Sequence, residues 1–376
     1  MPLYLLVSGD FRPHGGMDHP NHALASYLAG LPGAEVHLVA HRVEDQLAAH
    51  PAVHFHPVAR PLDRPWLGKA ALERAGQRWA SRITARGGRV IVNGGNCRGN
   101  DINWVHYVHA AYAAPAQNRL RRIWQGWKHR RFLLDERRCL APARHIVANS
   151  QRTRRDLVER LGLEPERIQV VYYGCDPAFT GRNAAEHSAA RRELGWPEDR
   201  PQALFIGALG DNRKGFDRLY EVWRLLCLDP AWDVDLRAAG RGADLEYWRQ
   251  RVRAEGMSGQ IDLLGFRQDI SRLLAAADVL IAPVRYEAYG LAVQEALCRG
   301  LPALVSENAG VAERYPPALR ELLLPDTEIP ECLVGALYGW RRQAATWPDR
   351  LAGFSESLRR HDWTAMAQAF IQATAA

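Results

Sequence analysis

Apolar residues along this chain fall in short continuous runs, separated by longer stretches with helical spacing. Residues 3–8, 35–40, 53–58, Val90-Ile-Val92 and Arg144-His-Ile-Val-Ala148 read as strands in the first half. Helical spacing occupies roughly 19–30, 68–86 and 118–140, and Ser150 with Thr153 reads as a helix start. The second half repeats the alternation. Strands are expected at Ala203-Leu-Phe-Ile206, Asp235-Leu-Arg-Ala-Ala239, Ile261-Asp-Leu-Leu264, Asp278-Val-Leu-Ile281 and Leu301-Pro-Ala-Leu-Val-Ser306. Strand and helix alternating throughout predict a parallel sheet in each half. A chain of 376 residues is too long for one core. The polar stretch 178–200 marks the boundary, giving domains 1–180 and 181–359 and a helix over about 360–376.

The junctions between strands and helices carry the polar chemistry. After Asp278-Val-Leu-Ile281 comes Pro283, then Glu287, and Gly290 opens a helix containing Glu295. A helix start offers unpaired N–H groups and a positive dipole end, a seat for phosphate or a polar sugar edge. At roughly 1.5 Å rise per helical residue, Glu287 and Glu295 should lie about 10 Å apart. That gap suits two ends of one elongated ligand better than a shared acid/base pair. After Ala203-Leu-Phe-Ile206 a loop holds Arg213-Lys-Gly215, which suits a pyrophosphate clamp. After residues 3–8 a second loop, Gly9-Asp-Phe-Arg-Pro-His-Gly-Gly16, precedes a helix. It lacks the Gly-x-Gly-x-x-Gly dinucleotide fingerprint. His14, Asp18, His19, Asn21 and His22 crowd this loop, in a spacing that matches no standard metal pattern.

Composition narrows the classes. Apolar residues make up 47% of the chain and charged residues 24%, as in a globular protein. No run approaches 18 apolar residues, and the N-terminus reads as a first strand rather than a leader. Cys97, Cys139, Cys175, Cys227, Cys298 and Cys332 are dispersed without Cys-x-x-Cys, which suits reduced cytoplasmic thiols. The net charge of +7 is uneven. Residues 1–180 hold 25 Lys and Arg against 15 Asp and Glu, leaving 24 against 27 for the remainder. A basic first half points to an anionic partner. Within it, residues 119–131 carry six basic residues and no acidic one, with Leu120, Ile123, Trp124 and Trp127 on helical spacing. The segment reads as a basic amphipathic helix suited to an anionic membrane surface, at the inner face for a cytoplasmic chain. The plain alternative is a helix with core tryptophans and solvated arginines. No nucleic-acid motif accompanies the charge.

The sequence Glu287-Ala-Tyr-Gly-Leu-Ala-Val-Gln-Glu-Ala296, with its Glu-x7-Glu spacing, resembles the nucleotide-sugar site of retaining glycosyltransferases of family 4 (glycosyltransferase group 1). The resemblance spans nearly the whole chain and is strongest over 203–313. It implies the GT-B fold, an α/β architecture of two Rossmann-like domains with parallel sheets facing across a cleft. It implies a terminal helix that packs back on the first domain.

The resemblance also implies roles. Glu287 would face the donor sugar and Glu295 would hold the ribose hydroxyls. The backbone of Ala288, Tyr289, Gly290 and Leu291 would hold sugar and phosphate. The loop of Gly15 and Gly16 would approach the donor phosphates. His109 is the best match to a histidine beside the donor sugar, with His106 the alternative. Arg213 and Lys214 would clamp the diphosphate, although the family's usual first basic position holds Ala208. Phe266 and Arg267 lie in the segment that would carry the base. His109, Lys214 and Glu287 are the expected catalytic group. The implied reaction moves a sugar from a UDP- or GDP-sugar to a glycan or lipid-linked acceptor in cell-surface glycan synthesis. Fixed positive groups replace a metal, and no cofactor is expected. A GT-B epimerase or phosphorylase would share the fold, and a nucleic-acid-binding protein would share the basic half.

Overall fold

The computed structural model describes residues 1–60, 65–113, 119–177, 179–181, 183–210 and 212–375, and along 65–67 and 119–124 the backbone alone. The chain divides into two compact units, 1–174 with 361–376, and 175–360.

The first unit contains β1 (Leu3–Val7), β2 (Asp10–Phe11), α1 (Asp18–Ala29), β3 (Glu35–Ala40), β4 (Arg42–Val43), α2 (Asp45–Ala48), β5 (Val53–Pro57), α3 (Pro65–Ala85), β6 (Arg89–Asn93), β7 (Ile102–Val105), α4 (Arg119–Leu140), β8 (His145–Ala148), α5 (Gln151–Leu161) and β9 (Ile168–Val170). Among the described residues seven strands form one sheet in the order β5-β3-β1-β6-β7-β8-β9. Its neighbours are parallel, so each crossover carries a helix or long loop. Both faces of β1 are covered, and Leu5, Leu6 and Val7 are buried. α5 starts at Ser150, whose hydroxyl accepts the Thr153 N–H at 2.9 Å, as the Ser-x-x-Thr spacing predicts.

The second unit contains α6 (Ala184–Leu194), β10 (Gln202–Ile206), α7 (Phe216–Leu226), β11 (Asp235–Ala239), α8 (Leu245–Ala254), β12 (Ile261–Gly265), α9 (Ile270–Ala276), β13 (Val279–Ala282), α10 (Leu291–Cys298), β14 (Ala303–Ser306), β15 (Leu323–Leu324), α11 (Pro330–Arg342) and α12 (Trp347–Arg359). Its parallel sheet runs β12-β11-β10-β13-β14-β15. The last helix, α13 (Trp363–Ala373), belongs to the first unit and packs on α1. Gly174 permits this return, since a Cβ there would sit 2.5 Å from the Asp362 carbonyl.

Strand order reverses around β1 in the first unit and around β10 in the second. At such switch points the loops at the strands' C-terminal ends part and leave a crevice. The segments in question are 8–17 after β1, within which β2 lies, the described part of 207–215 after β10, and 283–290 after β13.

Candidate functional site

In the second unit the two loops at the switch point are tied together. Gly215 has φ 75 and caps α7, and the Pro283 carbonyl lies where its Cβ would be, at 1.9 Å. Only glycine fits both conditions. The Arg285 N–H donates to the Arg213 carbonyl at 2.9 Å. This close approach brings Arg213 and Lys214 onto Glu287. Lys214 Nζ pairs with Glu287 Oε2, and Arg213 Nη1 lies 3.2 Å from the same oxygen and from the Tyr286 carbonyl. Burial opposes the Glu287 charge, yet Lys214 and Arg213 hold its carboxyl below the ordinary value. The carboxylate is thus an internal anion on a two-cation seat. Ala208, at the position where a basic residue was expected, is exposed, and the second cation comes from Arg213.

Glu287 is also fixed through its backbone. Its carbonyl accepts from Gly310, and that of Tyr289 accepts from Val311, at 3.0 and 2.8 Å. Ala288 and Tyr289 are buried, so they could meet a ligand only through backbone. Gly290 takes φ 117 and caps α10, whose first turn has no side-chain cap. Its orphan N–H groups open beside Lys214 and Glu287 in a pocket of about 40 Å³ that Leu291 also lines. Glu295 lies in the second turn of α10, half-buried. Burial, then the Asp176 carboxylate, push its pKa up to about 7, against the pull of Arg299.

Phe266 follows β12 and is 58% exposed, an unusual display for a large aromatic ring. The Arg241 guanidinium lies 4.9 Å over it. Arg267 turns away into a two-point pair with Asp269 at 2.7 and 2.5 Å.

Sequence reasoning missed Arg285. It pairs with Asp217 at 2.7 and 2.8 Å, with Glu328 at 2.7 Å and with the Asn212 carbonyl at 2.6 Å. It thereby holds the loop that presents Arg213 and Lys214. A single arginine between Val284 and Tyr286 gives no local signal of this, because each partner lies elsewhere in the chain.

The first unit holds Gly15, Gly16 and His109. Gly15 has φ 97, Gly16 has open space where a Cβ would point, and α1 starts without a side-chain cap. Beneath the loop the buried Asp10 faces Arg60 at 3.4 Å. His109 opens a short 3-10 turn after β7, anchored by Glu136 of α4. That carboxylate accepts the N–H groups of His109 and Ala110 at 2.8 and 3.2 Å, and burial raises its pKa to about 7. The His109 ring stacks on Phe132 at 4.6 Å. Burial, then His129, Lys69 and Lys128, lower its pKa to about 4, so it is neutral at neutral pH. His106 serves the interior instead. It is buried between Asn93 at 3.0 Å and the Tyr173 hydroxyl at 2.5 Å.

The expected basic amphipathic face is only partly described. The side chains of Leu120, Arg121, Arg122, Ile123 and Trp124 lie outside the described residues. Along its described part α4 does not sort its apolar residues onto one side, because Phe132, Leu133 and Leu134 are consecutive and spread around the helix, between Arg130-Arg131 and Arg137-Arg138. Trp127, Lys128, Arg130 and Arg131 are exposed, Trp127 at 64%. No described helix is long and apolar enough to cross a membrane.

These loops and sheets define a class. Residues 14–179 match the family described as Glycosyltransferase Family 4, and residues 186–327 match Glycosyl transferases group 1. The chain belongs to this glycosyltransferase family and has the GT-B fold. It is similar to D-inositol 3-phosphate glycosyltransferases. That of Geodermatophilus obscurus is 33% identical over 219 residues, covering 55% of this chain and 48% of that protein. That of Thermomonospora curvata is 33% identical over 195 residues, 48% and 44% of the two chains. The matched stretch thus spans about half the length of these curated relatives. Among solved structures, WaaG, a glycosyltransferase involved in lipopolysaccharide biosynthesis, superposes with a TM-score of 0.77 at 21% identity, covering 99% of both chains. HepE of Anabaena, in complex with UDP and glucose, gives 0.71 at 17% identity, covering both chains fully.

Proposed function

We propose that the protein transfers a hexose from a UDP- or GDP-sugar to a glycan or lipid-linked acceptor, with retention at the anomeric carbon and without a metal. The observation that carries this reading is the seat made by Arg213 and Lys214 beside the uncapped start of α10. A departing nucleoside diphosphate develops negative charge as the glycosyl bond breaks, and preorganised cations and N–H groups stabilise it. Fixed charge of this kind supplies what a divalent ion would otherwise supply. Glu287 holds both cations in place before the donor arrives and faces the sugar once it binds. In the second unit Lys214 and Glu287 act on the donor, and in the first unit His109, Gly15 and Gly16 are the residues assigned to the same reaction. The departing phosphate takes the acceptor proton on the same face, which retains configuration. A nucleotide-sugar donor is supported by the neighbour HepE, whose structures hold UDP, UDP with glucose, and UDP-glucose. A thermal-shift screen against UDP, GDP, ADP and their sugars identifies the base, since a ligand of the folded state raises Tm. No shift with any of them would overturn the reading.

The two glutamates should separate. Glu287→Gln leaves both cations without their internal anion, so it should keep or tighten nucleoside-diphosphate binding while lowering turnover roughly tenfold. Glu295→Gln should mainly weaken nucleotide binding, through the ribose. Calorimetry beside steady-state rates reads the split. Loss of nucleotide affinity in Glu287→Gln with retention in Glu295→Gln would reverse the assignment.

The acceptor reading extends to a cytoplasmic protein working at the inner face of a membrane in cell-surface glycan synthesis. Its support is α4, where exposed Trp127 stands among exposed Lys128, Arg130 and Arg131. Each basic residue near an anionic bilayer is worth about 1 kcal/mol, and tryptophan settles at headgroup depth. The protein should co-sediment with anionic vesicles at low salt and release at high salt. Arg130→Glu with Arg131→Glu should reduce binding. Absence of binding at low salt would leave a soluble anionic acceptor and end the membrane reading.

A further inference from the structure

A second cluster lies in the first unit, at the other end of its strands from the loop of Gly15 and Gly16. Glu35 pairs in register with Leu3 at the start of β1, and that loop follows the end of β1. β5 is the edge strand, and its register sets His37 beside His54 and Val39 beside His56. Residues paired in a parallel sheet share a face, so the alternation along β3 and β5 gathers Glu35, His37, His54 and His56 on one side. Helix α3 covers that side, with Trp79 stacked 3.7 Å from His56 and tilted at 5.1 Å from His37. His37 stacks on His54 at 4.9 Å, and its Nδ1 lies 2.9 Å from His56 Nε2. His37 Nε2 lies 2.8 Å from Glu35 Oε1.

From this arrangement we propose a divalent transition-metal site of the zinc class, formed by Glu35, His37 Nε2 and a ring nitrogen of His54, with water completing a tetrahedron. Each of the three residues offers a ligand atom, and these atoms lie within 4.8 Å of one another, the one such group of three among the described residues. Bonds of roughly 2.0–2.2 Å require ligand atoms about 3.4 Å apart, which rotation of the exposed His54 and a slight parting of Glu35 from His37 supply. His37 is buried and preset. The ion takes the place of the proton between His37 and Glu35. His37 Nδ1–H then donates to His56 Nε2, which fixes the tautomer and ring orientation as a partner outside the ligand set does in metal sites. Two imidazole ligands favour zinc and copper over magnesium and calcium. Arg86 also pairs with Glu35, at 2.9 and 2.6 Å, and the Arg82 guanidinium lies 4.9 Å from the Trp79 ring. Both cations oppose the metal. Glu35 retains a lone pair on each oxygen for it, and Arg86 holds the carboxylate in place. Binding would pin the edge strand β5 to β3, so the site is structural and separate from donor chemistry.

The test uses untagged full-length protein and zinc chloride. Calorimetry should show one site, and zinc should raise Tm while magnesium does not. His54→Ala alters an exposed side chain and should abolish both signals. His56→Phe keeps a ring on Trp79 but removes the acceptor, and should weaken zinc binding roughly tenfold or more. Sugar-transfer turnover should not change with zinc or chelator. No zinc binding, or binding that survives His54→Ala and therefore uses other groups such as the thiols of Cys227 and Cys332, would overturn the proposal.

Discussion

Lys214→Ala should lower kcat/KM roughly a hundredfold, about 3 kcal/mol of transition-state stabilisation. Lys214 is one of two cations on a single carboxylate oxygen of Glu287, and it lines the pocket at the start of α10. In the resting protein its charge is spent on Glu287. When the donor's diphosphate departs, the same charge meets a stronger and growing anion. The loss should therefore fall on kcat more than on nucleotide affinity, with Arg213 sustaining part of the binding. Steady-state rates with the donor found by thermal shift measure this. An unchanged kcat/KM would remove the two-cation seat from the reaction.

Gly215→Ala should destabilise the protein by about 3 kcal/mol or more, among the large single-site effects. Two costs combine there. A residue with a Cβ in the left-handed region loses roughly 1–2 kcal/mol. The Cβ would also stand 1.9 Å from the Pro283 carbonyl, a backbone atom that cannot rotate aside. At about 2–4 °C per kcal/mol for a unit of this size, Tm should drop by roughly 6–12 °C. Gly256→Ala is the control. Its φ of 69 is similar, and nothing lies within 4 Å of its Cβ, so it bears the conformational cost alone. Equal losses at the two positions would mean that the loops after β10 and β13 relax freely. They would then not be the rigid frame that sets Lys214 on Glu287.

Much of the fold was legible because its signals are local. Apolar runs and helical spacing follow from which residues must be buried along one element, and the alternation of the two implies parallel sheets. The strand ends fell within a residue or two of Leu3–Val7, Glu35–Ala40 and Val279–Ala282. Gly290 at the start of α10 was legible for the same reason, since a tight strand-to-helix turn calls for a left-handed residue.

By itself, then, the sequence determined the order of strands and helices, the position of the turns, and which polar residues follow the strands: Arg213, Lys214 and Glu287 in the loops, and Glu295 in the helix after Gly290. Tertiary structure alone decided what those residues touch. Glu287 meets Arg213 and Lys214 because β13 lies beside β10, and Arg285 braces their loop through Asp217 and Glu328. His106 and His109 look alike in the sequence. They part because His106 points among Asn93 and Tyr173, while Glu136 on a later helix holds the turn of His109. The grouping of His37, His54 and His56 depends on the register of β3 against β5. Ion pairs and register link residues far apart in the chain. Their energies depend on distances that exist only once the sheets have formed, and no spacing along the sequence encodes them.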